Sequence, residues 1–208
     1  MTLYAENINL LMENVVPVQT FVKNGAVDET EALRVVKDEA VVDVDEPTYA
    51  RIKNSVFHNG IIEVKVLSRL LPDAPEYARG FIGVAFRIDE NNEDFESIYI
   101  RPTNGRNENQ SRRNSSTQYF SYPDYKFDRL RSEAPKMYES YADMGLNEWI
   151  DLKIEVIDEC AKLYLNHSVH PVLIVNDLKK GSNAQGGIGL WVDIGTEGFF
   201  KDLKITSY

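Results

Sequence analysis

The feature that most constrains this chain is a period-two alternation of apolar and polar residues, repeated in short runs along most of its length. IIEVKVL (61–67) separates Ile62, Val64 and Val66 from Glu63, Lys65 and Leu67. FIGVAFRI (81–88) sets Ile82, Val84, Phe86 and Ile88 against Gly83, Ala85 and Arg87, and SIYIRP (97–102) sets Ile98 and Ile100 against Tyr99 and Arg101. WIDLKIEV (149–156), AKLYLNH (161–167), GIGLWV (187–192) and the closing FFKDLKITSY repeat the scheme. Successive side chains of a strand point to opposite faces of its sheet, so each run offers one face to a core and the other to solvent or a ligand.

Turn residues punctuate the runs: His58-Asn59-Gly60, Asp158-Glu159, Asn166-His167-Ser168 and Gly186-Gly187. Many short strands separated by such signals predict an all-β antiparallel sandwich with little helix. Residues 32–36 read as a further strand, and residues 128–145 as a turn or two of helix interrupted near Pro135. Residues 103–147 break the rhythm with a polar Asn/Arg/Ser section followed by an aromatic one, a connection long enough to be a functional loop. DLKI occurs at 151 and at 202 without a fixed repeat period, which excludes a propeller or solenoid. Residues 1–208 therefore read as one domain.

Lys and Arg number 23 against 33 Asp and Glu, a net charge of −10 that disfavours nucleic acid and anionic membrane as partners. A single cysteine, Cys160, makes no internal disulfide. The longest apolar run, 81–86, is far short of a membrane span. The first residues lack the basic and apolar regions of a leader peptide, so a cytoplasmic location is expected. Nothing in the sequence fixes the oligomeric state.

The order of motifs resembles the concanavalin A-like lectin/glucanase superfamily, a jelly-roll sandwich of two curved antiparallel sheets with laminin-G-like and glycosidase-like members. The residues that carry the resemblance are FHNGIIEVKV (57–66), FIGVAFRID (81–89), FESIYIRP (95–102), WIDLKIEV (149–156), KLYLNHSVHPVLIVNDLKKG (162–181), GGIGLWV (186–192) and FFKDLKIT (199–206). The resemblance implies saccharide binding on a concave sheet face, with an oligo- or polysaccharide as partner. In some members it implies hydrolysis or a bound calcium ion.

Parity places residues on such a face independently. If the apolar sets form the core, Glu63, Arg87, Tyr99 and Arg101 share the opposite face with Lys65, and Trp191 joins them. Planar rings stack on sugar CH faces while carboxylate and guanidinium groups fix hydroxyls. The competing reading is a solvated lattice of cross-strand charge pairs. Tyr119 belongs to an aromatic group with Tyr122, Tyr125, Tyr138 and Tyr141 that forms either a wall of the site or the anchor of the long loop.

Catalytic signals are weak. The family 16 glycosidases of the superfamily carry a Glu-x-Asp-x-x-Glu strand motif. The matching stretch here starts at Glu63 but has Lys65 and Ser68 in the other two positions, so a hydrolase would need a second carboxylate such as Glu96 or Asp193 from another strand. His167 and His170 lack the further ligands zinc requires, and no metal or other cofactor is expected there. The acidic loop 89–94 has oxygen donors suited to calcium but reads equally as a solvated connection. The sequence thus predicts saccharide recognition, with a glycoside hydrolase and a protein-interaction domain as alternatives.

Overall fold

A computed structural model describes residues 4–208. The chain opens with β1 (Tyr4–Ile8), β2 (Val15–Val18), the hairpin β3 (Thr20–Val27) and β4 (Thr30–Lys37), and β5 (Tyr49–Ile52). The alternating runs then give β6 (Gly60–Leu70), β7 (Ile82–Ile88) and β8 (Phe95–Ile100). The long excursion follows, with short helices α1 (Pro102–Gly105) and α2 (Gln110–Arg113), strand β9 (Thr117–Tyr122), helix α3 (Phe127–Glu133) and the two-residue β10 (Glu139–Ser140). Strands β11 (Ile150–Ile157), β12 (Cys160–Leu165), β13 (Leu173–Val175), β14 (Gly187–Val192) and β15 (Thr196–Ser207) complete the fold.

These strands form two antiparallel sheets packed as a sandwich. The larger has the order β13-β12-β11-β6-β15-β4-β3, with β1 added to β15; the smaller runs β10-β9-β8-β7-β14-β5-β2. Strands from the two ends of the chain pair directly, Tyr4 standing opposite Ser207 and Ile8 opposite Leu203. Between the sheets lies the apolar parity read from the sequence: Ile62, Val64 and Val66 from one side, Ile82, Val84, Ile98 and Leu190 from the other, all essentially inaccessible. A Cβ added at Gly198 of β15 would meet Val192 and Ile82, which shows how closely the two layers approach.

The two outer faces differ. Along β11 and β12 buried and half-buried residues alternate, as they must where one face is solvated. Every residue of β7, β8 and β14 is buried, so the smaller sheet is covered on both sides. Its outer cover comes from the β4–β5 connection and from α3 with its flanks. Trp191 donates from Nε1 to the Glu46 carbonyl at 2.9 Å, Phe127 N donates to the Asp45 carboxylate at 2.8 Å, and Lys126 pairs with Glu46. Under this cover the rings of Tyr99, Phe120 and Trp191 pack at centroid distances of 4.7–5.9 Å. The aromatic stretch expected to be loop is thus largely β9 and α3, which serve as an anchored lining of the second sheet.

Candidate functional site

The sequence-predicted site residues do not share one face. Glu63 lies on the larger sheet, whereas Arg87, Tyr99, Arg101, Tyr119 and Trp191 lie on the smaller. Tyr99, Arg101 and Trp191 do cluster, but beneath the cover. Arg101 donates to the Tyr99 hydroxyl at 2.7 Å, to Gln118 Oε1 at 3.2 Å and to Glu139 Oε1 at 3.2 Å, and its guanidinium lies 5.0 Å from the Tyr99 ring centre. Trp191 has no exposed surface. The expectation of an open pocket at these residues is corrected: small neighbours such as Gly83 and Ala85 make room for aromatic rings of the protein itself. Gly83 faces Tyr99 so tightly that a Cβ there would approach its Cα to 2.5 Å.

Arg87 departs for a different reason. Between Ala85 and Ile88 the β7–β14 register slips by one residue, a β-bulge, and Arg87 takes φ 55°. Beyond a bulge the odd/even count no longer predicts the face. Its guanidinium reaches the end of the sandwich, where it donates to Glu96 (3.2 Å), to the carbonyls of His58, Gly181 and Asp158, and to Asn59 Oδ1. These partners use all five N–H groups and tie strands of both sheets together. Tyr119 faces the core and donates to Glu96 Oε1 at 2.9 Å. Burial pushes the Glu96 carboxyl up, opposed by hydrogen bonds from Lys180 N and Tyr119 and by Arg87.

Asp193, the other candidate second carboxylate, is equally enclosed: its Oδ1 pairs with Lys37 at 2.6 Å and its Oδ2 accepts from Asp45 N at 3.0 Å. Neither Glu96 nor Asp193 looks across an open groove toward Glu63. In the acidic loop, the Asp89 carboxylate is engaged by the backbone N–H groups of Asn91, Glu93 and Asp94, and Asp94 pairs with Lys180. Among the described residues no three His, Cys, Asp or Glu side chains converge as a metal site would require.

The open hollow is on the larger sheet. Strand β15 pairs with β4 only as far as Phe200 and with β1 only from Leu203 onward. Between them its pairing with β6 is interrupted at Lys201–Lys204, where Asp202 takes φ 54°. The sheet therefore splits along one edge of β15, and a groove of about 1280 Å³ opens there. Asn7, Asn9 and Asn24 stand along its margin, and Glu63, Lys65, Asp151, Lys153, Tyr164 and His167 extend it across β6, β11 and the β12 turn.

Cross-strand register accounts for this surface. Lys153 and Lys204 flank Glu63, while Asp151 and Lys201 flank Lys65, all on the parity opposite the core. Lys204 pairs with Glu63 at 3.4 Å, Lys65 with Asp202 at 3.3 Å and with Asp151 at 4.0 Å, and His167 Nε2 lies 3.3 Å from Asp151. Lys153 sits 4.8 Å from the centre of the Tyr164 ring, and Lys201 sits 4.3 Å from that of Trp149. Sequence reasoning placed Glu63 and Lys65 on an outward face but missed Tyr164, Asp151 and Lys204. The signal was present: each belongs to the polar parity of a run already read as a strand.

No family model matches this sequence, and no curated protein matches it. Solved structures do share its fold. A protein from Parabacteroides distasonis, provisionally assigned as a glycosyl hydrolase, superposes with a TM-score of 0.60 at 15% identity, over 99% of this chain and 100% of that one. The carbohydrate binding module CBM66 from Bacillus subtilis gives 0.54 at 12% identity, over 91% and 96%. A Bacillus subtilis protein of unknown function with a galectin-like fold gives 0.53 at 11% identity, over 89% and 87%. The chain has the two-sheet, all-β sandwich of these proteins, matched along nearly its full length.

Proposed function

We propose that this protein binds oligo- or polysaccharide in the groove on the open face of the larger sheet. The observation that carries the reading is the asymmetry between the faces. The outer side of the smaller sheet is filled by the protein's own rings, whereas the larger sheet presents a long polar hollow bordered by Tyr164. A sugar offers hydroxyls around its rim and CH groups on its faces. Asn24, Glu63 and Asp151 supply acceptors, Lys65 and the asparagine amides supply donors, and Tyr164 supplies a half-buried planar surface. Among proteins of the same fold, one is a carbohydrate binding module and another carries a glycosyl hydrolase assignment, which supports the same class of ligand.

Binding rather than hydrolysis fits the carboxylates. Retaining hydrolysis needs two carboxyl groups about 5–5.5 Å apart facing the scissile bond, one of them protonated. Here Asp151 and Asp202 both turn toward Lys65, and Glu63 toward Lys204.

The test is a glycan array followed by calorimetric titration of the best ligand against the wild-type chain and Tyr164→Ala. Loss of one stacking ring should weaken binding roughly tenfold or more, with the thermal transition little changed because Tyr164 lies outside the core. Absence of binding to any glycan, or affinity that Tyr164→Ala leaves intact, would overturn the assignment.

A further inference from the structure

The charge pattern inside the groove narrows the ligand, given the saccharide reading above. The chain as a whole carries a net charge of −10, yet four lysines, Lys65, Lys153, Lys201 and Lys204, line this hollow. Its carboxylates on the outward parity are all engaged: Glu63 by Lys204, Asp202 by Lys65, and Asp151 by Lys65 and His167. Glu31 also borders the hollow near the β3–β4 turn, where it is exposed and makes no ion pair among the described residues. Two lysines are left over. Among the described residues neither Lys153 nor Lys201 makes an ion pair; each ammonium rests instead on an aromatic ring, Lys153 on Tyr164 and Lys201 on Trp149.

We infer that the groove selects a saccharide bearing carboxylates, a uronate-containing chain, with Lys153 and Lys201 as the groups that recognise its acid functions. The hold of a half-buried surface ring on an ammonium is weak beside that of an ion pair, so a carboxylate competes for that ammonium. A sugar ring settling on Tyr164 displaces the Lys153 ammonium from the ring face. The flexible four-carbon stem lets the charge swing onto the carboxylate of the same residue or its neighbour. Lys201 likewise rests on a ring, that of Trp149, which packs against Leu67 and Phe199 beside the groove. Lys201 stands opposite Lys65, which stands opposite Asp151, and Lys153 is two residues along β11. Two strand spacings and two residue rises put the lysine backbones roughly 12 Å apart, a separation suited to different residues of a chain rather than to one monosaccharide. A neutral sugar would gain the ring contacts but leave both ammonium groups unmatched.

The experiment is a titration of the full chain with uronate-containing oligosaccharides and with the same oligosaccharides after carboxyl reduction. At least one uronate form should bind tenfold or more tightly than its reduced counterpart, and its affinity should fall as salt is raised. Lys153→Met and Lys201→Met should each remove most of that preference, read as the ratio of acid-form to reduced-form affinity; thermal melting would verify that both variants fold. If acid and reduced forms bind equally, or if both lysine variants keep the preference, this inference fails while the saccharide reading survives. If neither form of any oligosaccharide binds, the saccharide reading itself fails.

Discussion

At the scale of single residues, the buried charges of the covered face are the most informative. Asp45 is 1% exposed and sits beside Asp193, with Lys126, Arg101 and the Phe127 amide as its favourable neighbours. Burial first and the Asp193 charge second push its carboxyl up to about 7. An unfolded chain releases that proton near the ordinary value of 3.8. Between about pH 4 and 7 the folded chain therefore holds a proton the unfolded chain has lost, and stability from this group falls as pH rises through that window. Below it both states are protonated; above it both are ionised and the full cost is present. Asp45→Asn keeps an acceptor for Phe127 N and tolerates the left-handed backbone (φ 54°) of position 45. The variant should match the wild type near pH 4 and exceed it by roughly 1–3 kcal/mol near pH 8. Parallel stability curves for the two proteins in urea across this range would show that Asp45 is not the titrating group. Arg87 teaches a different lesson. Its type and neighbours are plain in the sequence, yet its direction is decided by a one-residue bulge whose only local marker is a backbone angle.

Elements explain how much could be read beforehand. Strands with one wet face, such as β6, β11 and β12, were legible because burial alternates along them as the residues do. Strand β9 was not: TQYFSY is buried on both faces save at Tyr122, so its polar residues Gln118 and Ser121 hide the period. In the same way the alternation in β7 as far as Phe86, and in β8, identified the inner face, though Ile88, read as inward, turns beyond the bulge toward Tyr49 and Gly189; it said nothing about what covers the outer face. That depends on α3 and the β4–β5 connection, which approach from distant sequence. Leu130 of α3 is 2% exposed and helps hold this cover. Leu130→Ala should cost about 2–4 kcal/mol. In a Trp149→Phe background, leaving Trp191 as the single indole, it should also shift the emission to longer wavelength. A destabilised variant with unshifted emission would mean that the cover stays seated without Leu130.

For the whole molecule, the division of labour between sheets follows from where extra chain is spent. The excursion between β8 and β11 closes one outer face and consumes its aromatic residues, while the other face keeps only surface side chains and the split beside β15. The groove thus depends on how the two chain ends meet. Strand β1 contributes little to the core, all of its residues being exposed except the half-buried Ile8, but it forms one wall through Asn7 and Ile8. Stability and binding should therefore separate. A chain beginning at Asn9 should lose less than about 2 kcal/mol, since a solvated edge strand buries little apolar surface, yet bind saccharide at least tenfold more weakly. Removal of β1 also leaves the Leu203–Ser207 edge of β15 unpaired, which favours self-association at high concentration, visible by sedimentation. Should the shortened chain retain full affinity at unchanged stability, the wall formed by β1 plays no part in recognition, and the ligand must lie over Glu63, Lys153 and Tyr164 alone.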